Sequence, residues 1–139
     1  MKVVLFACVH NAGRSQMAAA LFNALADPSK ARALSAGSDP GERVHPEVIE
    51  VMREVGIDLS TATPRKLTVE VASEADLLVT MGCDDACPVV PGVRRDDWAL
   101  ADPKGQSIQR VREIRDEIRR RVRQLVDAEG VGRAPGQLP

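Results

Sequence analysis

Cys8 and Arg14 stand six positions apart in the stretch ACVHNAGRSQMAAALF, residues 7–22, with Val9, His10, Asn11, Ala12 and Gly13 between them. A loop of this length can curl round an oxyanion with its backbone N–H groups pointing inward, provided some residue accepts φ > 0. Gly13, and to a lesser degree Asn11, meets that demand. Arg14 offers a planar fork for two oxygens of a tetrahedral anion, and a helix starting near Ser15 adds the positive end of its dipole. In the same field a cysteine becomes a nucleophile, and the Ser15 hydroxyl can hydrogen-bond to it. The chemistry suggested is attack of the Cys8 sulfur on an oxyanion bound by Val9, His10, Asn11, Ala12, Gly13, Arg14 and Ser15. Alone, Cys8 would read as a buried strand-end thiol and Arg14 as a surface charge. The apolar run before them, the glycine, the helix start and the serine together favour the anion site. The loop is no Walker motif, which ends in glycine, lysine and Ser/Thr. His10 reads as a solvent-facing loop side chain and His45 as a loop residue ahead of a helix.

Two further thiols, Cys83 and Cys87, flank Asp-Asp-Ala in GCDDACP, and an Asp102-Pro103 pair follows. A zinc site would need four ligands, and this pair could add at best Cys8 and a distant histidine, so no metal is expected. Inert buried thiols are the simpler alternative to reactive ones. Asp-Pro is often only a turn, but a carboxyl at the site could transfer a proton. If 83–87 were helical, the two Cβ atoms would lie about 5 to 6 Å apart, whereas a disulfide needs about 3.5 to 4.5 Å. Were a disulfide to join these two cysteines, the segment would be expected to change conformation on oxidation.

These residues need a scaffold, and the 139-residue length suits one domain. A hydrophobic fraction of 44%, a charged fraction of 28% and a net charge of -1 give no reason to expect nucleic acid or membrane as a partner. The apolar run in MKVVLFAC is too short for a signal peptide or a membrane span. Three cysteines fit reactive thiols in a reducing compartment better than a disulfide framework, so the expected location is cytoplasmic. Aromatics are limited to Phe6, Phe22 and Trp98.

Residues 2–7 form an apolar run of the kind found in buried parallel strands. Residues 15–26 carry Met17, Leu21, Phe22 and Leu25 at helical spacing and end at Asp27-Pro28. A strand at 31–38, a helix at 46–56 opened by proline and closed by glycine, and a short helix at 68–75 follow. Strands are expected at 76–81 and, more weakly, at 96–101. A long helix at 107–129 keeps Ile108, Val111, Ile114, Ile118, Val122, Leu125 and Val126 on one stripe. The expected domain is 1–129, with 130–139 a flexible tail rich in Gly and Pro. Alternating strands and helices predict a doubly wound α/β, three-layer sandwich on a four-stranded, mostly parallel sheet. Such sheets bind ligands beyond the carboxyl ends of their strands. Cys8, Cys83 and Asp102 would then each follow a strand and meet at one edge.

Cys8-x5-Arg14-Ser15 with Asp102-Pro103 resembles the low-molecular-weight protein tyrosine phosphatase fold, and more closely the arsenate reductases that share it. CVHNAGRSQMA, SAGS, VHPEVIEVMREVGIDLS, VTMGCDDACP, DDWALADPKG and the REIRDEI helix carry the likeness, which runs to about residue 128. The resemblance implies that Cys8 attacks arsenate, Arg14 holds its oxygens and Asp102 assists departure of water. It also implies that Cys83 attacks the Cys8 sulfur to free arsenite, and that Cys87 then moves the disulfide to Cys83–Cys87. An external thiol (thioredoxin, a glutaredoxin-like protein, or mycothiol or another small thiol) would regenerate the enzyme, with no bound cofactor. Phosphate and sulfate would compete as oxyanions. The position where some relatives carry an acidic residue for potassium is Ala19, so that ion is not expected. A tyrosine phosphatase would want aromatic walls and tyrosines after Asp-Pro, where this chain reads DPKGQ. It and a non-catalytic oxyanion sensor are the rival readings.

Overall fold

Strand β1 (Lys2–Cys8) shows why the sheet must be covered on both sides. Val4, Phe6 and Cys8 join one buried cluster, while Leu5 and Ala7 join another. A strand with two buried faces reads as an unbroken apolar run rather than an alternation. The computed structural model describes residues 1–82 and 90–133. Its other strands are β2 (Ala31–Gly37), β3 (Leu77–Thr80) and β4 (Arg94–Asp97), in the order β2-β1-β3-β4. Every pairing is parallel, where a mostly parallel sheet was expected. Cys8 is in register with Gly37, Ala7 with Thr80, and Thr80 with Asp97.

Helices α1 (Arg14–Leu25), α2 (Pro46–Arg53) and α4 (Ile108–Glu129) supply the larger cluster, through Met17, Leu21 and Phe22, through Val48, Val51 and Met52, and through Val111, Ile114, Ile118, Val122 and Val126. The other layer is thin: α3 (Val69–Ser73), with Ala72, Ala75 and Leu67 against Leu5, Ala7 and Leu78. The result is the expected three-layer α/β sandwich. Helix ends follow local chemistry. Ser107 Oγ accepts from the Arg110 amide at the start of α4, and Gly130 closes it in the left-handed conformation. Pro46 opens α2, and buried Arg115 donates to Val51 O (2.9 Å) near its end and pairs with Glu54 (2.7 Å).

The order β2-β1-β3-β4 locates the ligand crevice. The chain leaves β1 for a neighbour on one side and later returns to place β3 on the other. The reversal therefore lies between β1 and β3. The Met81 amide donating to Ala7 O (2.7 Å) holds the two strand ends together.

Helix α2 stops at Arg53 rather than 56, other elements shift by a residue or two, and two larger differences stand out. The fourth strand spans 94–97 rather than 96–101 and consists of Arg-Arg-Asp-Asp, all exposed. It is an edge strand, and edges are commonly charged. The apolar signal at 98–101 came instead from Trp98, which is buried against Phe6 with ring centroids 5.6 Å apart. Asp102 accordingly sits at the end of a short connecting segment rather than directly after a strand. The packed body also continues past residue 129. Gly132 bridges to Ala26, and Arg133 Nε donates to Ala24 O at 3.0 Å. Cys83, Cys87, the expected conformational change of 83–87 and residues 134–139 lie outside the described residues.

Candidate active site

The loop after β1 is held open from outside. Carbonyls of Cys8, Val9, His10 and Ala12 accept hydrogen bonds from the amides of Ser38, Asp39, Gly41 and His45, at 3.2, 2.8, 2.9 and 3.0 Å. The peptide bonds are trans, and a planar trans peptide points its C=O and the next N–H in opposite directions. Pulling these four carbonyls outward therefore turns the amides of Val9, His10, Asn11 and Gly13 to the other side. Gly13 O accepts from Met17 N (3.0 Å), which turns the Arg14 amide likewise. The concavity expected from the spacing is thus built by the 37–45 segment.

The left-handed residue is Asn11, with φ 51. Gly13 was expected to supply that conformation, but it sits at φ -145 as the N-cap of α1. Its lack of a side chain serves packing: a Cβ there would lie 2.7 Å from Pro103 Cγ. Gly13 thus lets the Asp102-Pro103 segment close onto the anion loop. Gly37 does the same from the sheet side, where a Cβ would meet Val9 O at 2.6 Å and Asn11 N at 2.9 Å.

Cys8 is a buried free thiol whose Sγ lies 2.9 Å from Ser15 Oγ. Asn11 Oδ1 accepts from the Arg65 amide (3.0 Å) and from Gln16 Nε2 (3.2 Å). Because the Arg65 amide can only donate, Oδ1 must face it, and Nδ2 must face Ser15, to which it donates at 2.7 Å. Ser15 Oγ therefore receives one hydrogen bond and has its own hydrogen free for the sulfur. A thiolate at Cys8 would find a donor already aimed at it.

Arg14 is the first residue of α1, and its side chain is only 9% exposed. Nη1 donates to Leu100 O (3.3 Å), and Nη2 lies 3.8 Å from Asp102 Oδ2. The Asp102 side chain is 47% exposed, with Oδ1 accepting from the Lys104 amide at 3.0 Å. The structure therefore brings Arg14 and Asp102 together across 88 positions of sequence. Val9 and His10 are half-buried, and Asn11, Ala12, Gly13 and Ser15 are buried. His10 Nδ1 lies 3.0 Å from Asp39 O, a loop contact that fits its expected place.

His45 does more than precede a helix. Its amide holds Ala12 O, and its carbonyl accepts from Val48 and Ile49 at the start of α2. Burial pushes its imidazole below the ordinary value, against the upward pull of the Asp102 and Glu47 carboxylates. Sequence reasoning also missed Gln16, Gly37 and the 63–66 segment, and it named Gly82 only as the residue preceding 83–87. Gly37, at the end of β2 inside SAGS, was the one carrying a signal. Among the described residues no group of three or more His, Cys, Asp or Glu could hold a metal ion. Nor is any helix among them long and apolar enough to cross a membrane.

Known proteins match this arrangement along nearly its whole length. A solved structure of the Corynebacterium glutamicum thioredoxin-dependent arsenate reductase aligns with a TM-score of 0.78 at 43% identity, covering 92% of this chain. This chain spans 61% of that one. Arsenate reductase 2 of Staphylococcus saprophyticus is 35% identical over 130 residues, 91% of this chain and 97% of the relative. The glutaredoxin arsenate reductase of Synechocystis is 36% identical over 129 residues, again 91% and 97%. The model of the low molecular weight phosphotyrosine protein phosphatase family matches residues 3–134, from the first strand to the segment beyond α4, and the chain belongs to that family.

Proposed function

We propose that this chain is an arsenate reductase whose described body works as one catalytic domain. The observation that carries the reading is the contact between Arg14 and Gly82, the residue immediately before Cys83. A Cβ at Gly82 would lie 2.5 Å from Arg14 Nη1. Gly82 thus lies against the side chain suited to hold the oxyanion, and Cys83 is the next residue in sequence. The relatives named above are arsenate reductases, and the chain's aromatic residues, Phe6, Phe22 and Trp98, are all buried in the core. That leaves no aromatic side chain free to wall a phenyl ring, which weighs against a tyrosine phosphatase.

In this reading the turned amides of the loop and the Arg14 guanidinium hold arsenate. The Cys8 sulfur attacks arsenic, a S–As bond forms, and an oxygen departs as water with a proton from Asp102. Arsenic stays pentavalent in this step. Cys83 then attacks the Cys8 sulfur, and the S–As electron pair passes to arsenic. Arsenite leaves and a Cys8–Cys83 disulfide remains, so the two electrons come from two thiols. Attack by Cys87 on Cys83 frees Cys8 and leaves a Cys83–Cys87 disulfide. An external thiol reductant, thioredoxin or a glutaredoxin-like or mycothiol system, restores both thiols, and no bound cofactor is needed. Such a cycle belongs in a reducing compartment, the cytoplasm.

The test is arsenate-dependent NADPH oxidation coupled to a thioredoxin system and, separately, to glutaredoxin and mycothiol systems. Turnover in one of them, lost in Cys87→Ser, supports the reading. Turnover in none, alongside brisk aryl phosphate hydrolysis, would establish the phosphatase instead. A Cys8→Ser protein that keeps its full function would point to a sensor.

A further inference from the structure

Five glycines in the described residues have positive φ: Gly56, Gly82, Gly92, Gly105 and Gly130. At four of them a Cβ would meet nothing within 4 Å, so glycine there answers the backbone conformation alone. Gly82, at φ 99, differs. A Cβ on it would lie 2.5 Å from Arg14 Nη1, 3.4 Å from Cζ and 3.7 Å from Nη2. The three nearest atoms that a side chain there would meet among the described residues all belong to the Arg14 guanidinium.

We propose that Gly82 is a positioning residue for Arg14, its bare backbone forming the wall on which the oxyanion-holding guanidinium rests. The inference rests on the reading of Arg14 given above. The guanidinium has further partners, since Nη1 donates to Leu100 O at 3.3 Å and Nη2 lies 3.8 Å from Asp102 Oδ2. The guanidinium is thus set between the end of β3 and the segment after β4, the two chain stretches leading to Cys83 and Asp102. A side chain at position 82 would meet the far end of a flexible arginine rather than backbone. The arginine gives way, and although a side chain at φ 99 also strains the backbone, the fork moves out of register with the anion. Bidentate recognition depends on that register more than on charge alone.

The test uses the reduced full-length chain, inorganic phosphate as probe and calorimetry on four proteins: wild type, G82A, R14K and R14K/G82A. Lysine lacks the Cζ and both Nη atoms that meet position 82. G82A is expected to weaken phosphate binding about tenfold in the Arg14 background and by less than about twofold in the R14K background, a non-additivity that marks a direct contact. Equal losses in both backgrounds would assign the effect to backbone strain and overturn the proposal, as would no loss in either. If R14K leaves phosphate binding unchanged, the reading of Arg14 fails, and this inference with it. G82N covers the case of a G82A chain that does not fold, because asparagine accepts positive φ more readily while still carrying a Cβ. It should reproduce the same dependence on Arg14.

Discussion

Asn11 Nδ2 lies 2.7 Å from Ser15 Oγ, and this contact sets the direction of the hydrogen bond between Ser15 and Cys8. The chain of donors begins in the backbone: the Arg65 amide fixes Asn11 Oδ1, which turns Nδ2 to Ser15, which turns the hydroxyl hydrogen to sulfur. Residues on the anion loop, on α1 and in the 63–66 segment thereby act on one atom.

Replacing Ser15 by alanine removes the donor aimed at sulfur. Hydrogen bonds to charged groups contribute about 1.5–3 kcal/mol, so kcat should fall roughly ten- to a hundredfold. Phosphate affinity and the melting temperature should change little. Asn11→Ala should also lower thermal stability, because the Arg65 N–H loses its acceptor and the Gln16 amide keeps only Thr63 O, at 3.4 Å, each lost hydrogen bond being worth about 0.5–1.5 kcal/mol. Steady-state kinetics and thermal melts on the two variants separate the effects, and a Ser15→Ala protein with wild-type kcat would remove Ser15 from the chemistry.

Gly13→Ala should act at a distance from its own backbone. The new methyl meets Pro103, the ring next to Asp102, at 2.7 Å, so the Asp102-Pro103 segment must withdraw while the Cys8–Ser15 contact stays. The expected result is a kcat loss of tenfold or more, about 1.4 kcal/mol in the barrier, with phosphate affinity reduced much less. Equal loss of affinity and kcat would show that the anion loop itself had moved.

The sheet, its helices and the anion loop were legible because their signals are local. A doubly buried strand reads as an apolar run, α4 reads as a stripe, and Cys8-x5-Arg14 sits in one stretch. What escaped reading depends on contacts between distant segments. Gly13 and Asn11 exchanged roles because the demand on Gly13 comes from Pro103, which no local pattern announces. β4 was displaced because the buried residue, Trp98, follows the strand while the strand itself is a charged edge. Gly82 could be read as a turn former, but its contact with Arg14 required the reversal of strand order between β1 and β3.

The pairing between α2 and α4 carries a pH dependence. Hydrogen bonds from Arg112 and Arg115 hold the Glu54 carboxyl below its ordinary value. A carboxyl whose folded value is depressed contributes stability above its unfolded value, here 4.5, and loses it as pH falls through the folded value. Glu54→Gln should therefore melt lower than wild type at pH 7, and the difference should shrink toward pH 3. Melts showing the same gap at both pH values would mean that the Glu54 charge is not what joins the helices.

In the proposed cycle one chain carries all the electrons for one turnover. Fully reduced protein, freed of external thiol, is mixed with excess arsenate, and arsenite and free thiols are counted. The expected result is one arsenite per chain, two thiols lost of three, and a product disulfide joining Cys83 to Cys87. Three intact thiols with no arsenite formed would contradict it.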